Sequence, residues 1–345
     1  KEDITNSPLV NLKSIINKKY NKNLVTYADL YKWSINNISG FWETVWSDTG
    51  IIYSKKYSSI VDNIHKIPGA NWFESSKLNY AENLLSNNPN KIAIEYYCEN
   101  RIKGKISYEE LNSLVAKVSY SFKELGLKKG DRVAAIMPNV PETIISMLAV
   151  SSIGAIWSSC SPDFGTNGVI DRFSQITPKI LFIGDKYFYN GKKINILERL
   201  SEIINKVPSI KKVVIVPYPG TEVEKNNKFK IETYNWNELI NSKNKSKIQY
   251  VMSNFNDPLT ILFSSGTTGK PKCICHGTGG VLLQHNKELQ IHSDVRENDR
   301  VFYFTTCGWM MWNWLISSLT SGATILLFDG FPMYKKDDLL FEIAS

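Results

Sequence analysis

The apolar positions along this chain change their period repeatedly, and each change marks an element. "KIAIEYYC", from residue 91, alternates as a strand, and "KGKIS" follows as its hairpin partner. In "YEELNSLVAKVSYSFKELG" the period lengthens to three and four. That spacing predicts a helix with Leu111, Leu114, Val115, Val118 and Phe122 on one face and a stop at Gly126. "DRVAAIM" reads as a strand, "PETIISMLAVSSIG" as a helix with proline in its first turn, and "AIWSSC" as a strand. "TNGVIDRFSQI" (helix), "KILFIG" (strand), "NILERLSEIINKV" (helix) and "KKVVIV" (strand) continue the alternation. Strands alternating with helices predict βαβ units and a parallel sheet covered on both faces.

The flanks are less regular. The first eighty or so residues are rich in Asn, Lys and Trp. Leu30, Trp33, Ile38, Phe41, Trp42, Val45 and Trp46 are spaced as short helices that dock aromatic side chains onto something larger. "KLNYAENLL" reads as an entry helix. These features divide the chain into a lead-in, residues 1–85, and a main domain, residues 86–345. Past "KKVVIV", the polar stretch "EKNNKFKIETYNWNELINSKNKSK" reads as a surface loop with one short helix. The strand "LTILF" follows, then a loop, a helix from about Gly279 to Ile291, the strand "RVFYFT", the helix "MMWNWLISSL" and the strand "ATILLFD".

Composition narrows the class. With 345 residues, 43% of them hydrophobic and 21% charged, the chain can bury a sizeable core. The net charge is +8, but Lys and Arg are scattered and offset by acids, and no basic cluster interleaves with aromatics. That argues against nucleic acid as a partner and for general attraction of anionic ligands. The five cysteines lack a disulfide framework, and the apolar stretch from Val133 to Cys160 is interrupted by "MPNVPE", so no membrane span is expected. "KEDITNSPLV" is no secretory leader. Reduced cytosol is the natural reading. The chain opens without Met, which suggests that it is not a complete gene product.

The loop carries the chemistry. "LFSSGTTGKPK", residues 262–272, packs two glycines, four hydroxyls and two lysines behind an apolar run. It reads as a strand–loop–helix turn, the kind of place at which α/β proteins bind ligands. The spacing does not match the phosphate loop of nucleoside triphosphatases, since Gly266 and Gly269 are three apart and Pro271 follows Lys270. The physical logic of a phosphate cradle still applies. Gly266 and Gly269 allow backbone N–H groups to face an anion, and Ser264, Ser265, Thr267 and Thr268 can donate to phosphate oxygens. Lys270 and Lys272 can neutralise charge. "CICH" (Cys273, Cys275, His276) invites a zinc reading. Strand alternation would put His276 on the face opposite the two cysteines, and no second ligand pair stands at the needed spacing, so no metal ligand is assigned. No Ser-His-Asp order or paired carboxylates suggest hydrolysis.

"FSSGTTGKPK" resembles the signature loop of the adenylate-forming superfamily of acyl-CoA synthetases, luciferases and peptide-synthetase adenylation domains. The usual Gly after the final Lys is Cys273 here. "KLNYAENLL", "GDRVAAIMPNVPETIISMLAVSSIGAIWSSCSPDFG", "DRFSQITPKILFIGDKYFYNGK" and "TTCGWMMWNWLISSLTSGATILLFDG" are similar to its acetoacetyl-CoA synthetase branch, close to the acetyl-CoA synthetases. These matches span about residues 70 to 332. "GWMMWNWL" stands where acetyl-CoA synthetases carry a Gly-Trp-Ile-Thr-Gly-His-type stretch.

The resemblance implies a fold: the incomplete large N-terminal domain of an adenylate-forming enzyme, with stacked, mostly parallel sheets and helices between and outside them. It implies that Lys272 is the loop lysine, the catalytic contact to phosphate. Trp309 matches the gate aromatic beside the acyl pocket, with Met310, Met311 and Trp312 as further pocket candidates. Tyr189 and Lys192, in "YNGK", fall where acetyl-CoA synthetase uses an Arg-x-Gly-Arg stretch against the nucleotide end of CoA. The first arginine is lost. The activity implied is that of an AMP-forming acid–thiol ligase requiring Mg²⁺, joining acetoacetate to CoA at the expense of ATP. A synthetase for another short acid stays open, as does a noncatalytic nucleotide- or acyl-binding module. Family members continue with an adenine-binding segment, a magnesium-coordinating acid and a mobile domain carrying the adenylation lysine. None of these is expected before residue 345, so the chain reads as about the first half of such an enzyme. Its oligomeric state is not indicated.

Overall fold

The structure is a computed structural model that describes residues 6–223, 229–241, 247–264 and 269–344. Three helices, Pro8–Tyr20, Tyr27–Asn36 and Ile38–Asp48, form the lead-in. The second begins with a reciprocal capping box, in which Asp29 N donates to Thr26 Oγ1 and Thr26 N donates to Asp29 Oδ2. Two short antiparallel strands follow, β1 (Ser59–Val61) and β2 (Trp72–Glu74). Trp46 stacks on Phe73, and Phe73 lies 4.8 Å from Phe255 of the main domain. The lead-in therefore docks through aromatic rings, as its spacing predicts. In "KLNYAENLL" the helix is confined to Tyr80–Leu85; Lys77–Leu78 is a short strand, β3.

The main domain begins with the antiparallel pair β4 (Ile92–Cys98) and β5 (Lys103–Ser107) and the helix Tyr108–Glu124. Then come β6 (Arg132–Ile136), the helix Pro141–Ser152, β7 (Ile156–Cys160), the helix Thr166–Ile176 and β8 (Ile180–Gly184). A hairpin, β9 (Lys186–Tyr189) and β10 (Lys192–Asn195), precedes the helix Leu200–Lys206 and β11 (Lys212–Val216). The remaining strands are β12 (Glu232–Asn235), β13 (Ser253–Asn254), β14 (Pro258–Ser264), β15 (Lys272–Gly277), β16 (Arg300–Phe302) and β17 (Thr324–Asp329). Helices Thr278–Asn286, Met310–Ser317 and Leu339–Ala344 lie among and after them.

Two sheets result. The larger runs β12-β11-β8-β6-β7-β14-β15 and is parallel except for β15. The smaller runs β16-β17-β4-β5 and is parallel except for β5. Alternation along each strand sorts its side chains between cores. Val133 and Ala135 of β6 join the principal core, together with Ile325 and Leu327 of β17 and the buried faces of helices Tyr108–Glu124 and Pro141–Ser152. Ala134 and Ile136 face the opposite side, where helices Thr166–Ile176 and Leu200–Lys206 cover them. Leu326 and Phe328 turn outward onto Ile343. The expected architecture of stacked, mostly parallel sheets with helices between and outside is present.

Further local readings differ. The polar stretch after β11 contributes an edge strand, β12, as well as the short helix Trp236–Ile240. Its Thr and Tyr suit an edge position with one face in water. "RVFYFT" is strand only over Arg300–Phe302. The helix expected to reach Ile291 is α-helical over Thr278–Asn286 and continues as a π-helix over Lys287–His292. The quoted loop is a strand–loop–strand connection, because Lys272–Gly277 pairs antiparallel with β14 before any helix begins.

Candidate functional site

Ser264 and Lys272 are register partners across β14 and β15, so the loop between them leaves and re-enters the sheet at one point. That point is the carboxyl end of β14, beside β7, where parallel sheets present ligand sites. Ser265, Gly266, Thr267 and Thr268 lie outside the described residues. Gly269 has φ +92 and nothing within 4 Å of an added Cβ, so its requirement for glycine comes from backbone conformation, not from space. Lys270 and Lys272 are exposed. Lys270 Nζ lies 3.8 Å from Asp171 Oδ1, and Gln175 Nε2 donates to Pro271 O at 2.9 Å. The exit of the loop is thus tethered to the helix Thr166–Ile176.

That helix supplies a cation the sequence reading did not single out. Arg172 lies over the Phe164 ring, 4.5 Å from its centroid, and 5.8 Å from that of Phe263, the residue before Ser264. Its signal was one basic residue on an otherwise ordinary helix.

The turn before the helix Met310–Ser317 is stitched to neighbouring strand ends. Cys307 is fully buried, and its thiol donates to Met137 O at 2.9 Å. Ser159 Oγ donates to Cys307 O at 2.6 Å. An added Cβ on Gly308 would lie 3.3 Å from Ser161 N, so the turn rests against the end of β7. Trp309, immediately after, is the N-cap residue and is 57% exposed. Met310 is also exposed and Met311 half-buried, whereas Trp312 is fully buried. The Trp312 indole N–H donates to Asn139 Oδ1 at 2.9 Å. Trp312 therefore packs as core behind the exposed Trp309.

Asn139 belongs to a buried polar network that sequence reasoning missed. Its backbone N–H donates to Asp329 Oδ1 at 2.9 Å, and Tyr218 Oη donates to Asp329 Oδ2 at 2.8 Å. Burial pushes the Asp329 carboxyl up to about 6, partly opposed by these two donors. Burial and the nearby Asp329 carboxylate also raise the Tyr218 phenol.

Tyr189 and Lys192 close the β9–β10 hairpin as register partners. Asn190 and Gly191 between them have φ 50 and 77, the two-residue turn that suits a twisted hairpin. Tyr189 is 46% exposed and stands edge-on to Phe331, with ring centroids 5.5 Å apart. Cys273 and Cys275 are exposed on one face of β15, and His276 is half-buried. Among the described residues, no group of three His, Cys, Asp or Glu could hold a metal ion, and no helix is long and apolar enough to cross a membrane.

Comparison with known proteins identifies the family. The family model described as "AMP-binding enzyme" matches residues 82–345, and that described as "Acetyl-coenzyme A synthetase N-terminus" matches residues 27–84. An acetoacetyl-CoA synthetase of Danio rerio is 41% identical over 96% of this chain and 50% of its own length. An acetoacetyl-coenzyme A synthetase of Rhizobium meliloti (strain 1021) is 39% identical over 100% of this chain and 52% of its own. The solved structure of an acetoacetyl-CoA synthetase from Streptomyces lividans superposes with a TM-score of 0.93 at 34% identity, covering 99% of this chain and 52% of that one. The chain spans about half the length of the curated relatives it matches. By its sheets, its loop at the end of β14 and a family match across most of its residues, the chain belongs to the AMP-binding enzyme family.

Proposed function

We propose that the protein containing this chain is an ATP-dependent acid–thiol ligase that joins acetoacetate to CoA, releasing AMP and pyrophosphate. The observation that carries the reading is the placement of two features together. The Gly/Ser/Thr/Lys loop and the Trp309 turn both sit at the carboxyl ends of the adjacent strands β14 and β7. The names of relatives matched along nearly the whole chain supply the substrate.

In this reading the acetoacetate carboxylate attacks the α-phosphorus of ATP, pyrophosphate leaves, and the CoA thiol then displaces AMP from the acyl carbon. This chain contributes positioning and charge. Ser264, Ser265, Gly266, Thr267, Thr268, Gly269 and Lys270 wrap the phosphates, Lys272 neutralises their charge, and Arg172 adds a further cation. Trp309 gates the acyl end, Met310 and Met311 form its wall, and Trp312 holds their helix from behind. Tyr189 and Lys192 receive the nucleotide end of CoA. The described residues fit nucleotide phosphates through Gly269 and the exposed lysines, and they offer no cage for a metal. Magnesium, when bound, would neutralise charge on the phosphates that this loop holds. Residues 1–85 serve as the accessory lead-in and 86–345 as the first part of the adenylation domain. We place the protein in the cytoplasm, where its substrates are small molecules and neither nucleic acid nor membrane is a partner.

The test is acetoacetate-dependent ATP–pyrophosphate exchange in the full-length protein. Lys272→Ala and Gly269→Val should each lower it about tenfold or more, since roughly 1.4 kcal/mol of transition-state stabilisation accounts for each tenfold. Lost charge pairing explains the first and blocked backbone conformation the second. Undiminished exchange in both variants would reject the phosphate role.

A further inference from the structure

Glu99 is a buried acid to which the proposed reaction gives no part. It directly follows β4 and is 5% exposed, yet its carboxylate meets three backbone donors from two distant segments. Oε1 accepts from Gly191 N at 2.7 Å, and Oε2 accepts from Asn190 N at 2.8 Å and Phe331 N at 2.7 Å. Asn190 and Gly191 are the two left-handed residues that form the turn between Tyr189 and Lys192. Phe331 is the ring against which Tyr189 stands. The carboxylate thus grips the turn directly and fixes the support of Tyr189 through Phe331.

Other features hold the carboxylate in place. Glu99 N donates to Asp329 O at 2.9 Å. An added Cβ on Gly330, at φ +136, would come within 2.5 Å of Glu99 Cβ, so the chain after β17 passes as close as a glycine allows. Burying a carboxylate is unfavourable unless hydrogen bonds satisfy it, and three N–H donors do so here. An amide is a poor replacement. It presents one acceptor oxygen, and its NH₂ would confront a backbone N–H.

We propose that Glu99 is a positioning residue for CoA, holding the Tyr189–Lys192 turn in the geometry that receives the nucleotide, with no part in adenylate formation. The inference rests on the assignment of that turn to CoA made above. A residue that merely stabilised the fold would depress both half-reactions together. One that positions this turn acts on the CoA-dependent step alone.

The experiment measures both steps in full-length Glu99→Gln. The KM for CoA should rise about fivefold or more, while acetoacetate-dependent pyrophosphate exchange without CoA stays within about twofold of wild type. Gly191→Ala strains the same turn without altering Glu99. It should reproduce the split, and it carries the test if Glu99→Gln does not fold. An unchanged KM for CoA, or parallel loss of both steps, overturns the proposal. Lys192→Ala separates the two layers of the reading. A wild-type KM for CoA in Lys192→Ala means that the turn is not the CoA site. A raised KM there, with a wild-type KM in Glu99→Gln, rejects the role of Glu99 alone.

Discussion

The indole N–H of Trp312 donates to the side-chain oxygen of Asn139 at 2.9 Å, tying the helix behind Trp309 to the chain that leaves β6. The amide nitrogen of the same asparagine donates to Thr305 O and Phe328 O, each at 3.3 Å. One side chain thereby joins three segments at the carboxyl ends of both sheets. Trp312→Phe keeps most of the packing but leaves the Asn139 oxygen buried without its donor. That should destabilise the protein by about 1–3 kcal/mol, the cost of an unsatisfied buried polar group. Chemical denaturation measures it, and a difference below about 0.5 kcal/mol would show that the bond adds little.

Glu142 predicts a pH dependence of stability. It lies in the first turn of the helix Pro141–Ser152, and its Oε2 is buried without a hydrogen-bond partner among the described residues. Burial pushes its carboxyl from 4.5 up to about 7. A raised carboxyl holds its proton more tightly in the folded chain than in the unfolded one. Stability should therefore fall as pH rises from about 4.5 to about 7 and level off above, by at most about 3 kcal/mol. Glu142→Gln, neutral throughout, should raise the thermal midpoint more at pH 8 than at pH 5. An equal change at both would contradict the assignment.

Substrate choice is the third expectation. Acetoacetate should exceed acetate and butyrate in kcat/KM by more than about tenfold, because a site that bonds the 3-oxo group leaves its own donor unpaired when the group is missing. Competition assays on the full-length protein measure this ratio. A preference for acetate would reject acetoacetate as the substrate and leave the ligase reaction standing.

What the sequence determined was local. The strand and helix of "AIWSSC" and "TNGVIDRFSQI" were legible because side-chain period depends on backbone geometry within a few residues. The loop was legible for the same reason, since Gly269 and its hydroxyl and lysine neighbours stand in one short run. Tertiary structure decided the rest. It made Lys272–Gly277 a strand, because an antiparallel partner was present in β14. It sent Trp312 to the core and left Trp309 exposed, although both lie in one aromatic stretch. Glu99, Asn139 and Asp329 look like ordinary polar residues in the chain. Their partners lie 91 to 232 residues away, and no local pattern records a hydrogen bond that exists only after the sheets have stacked.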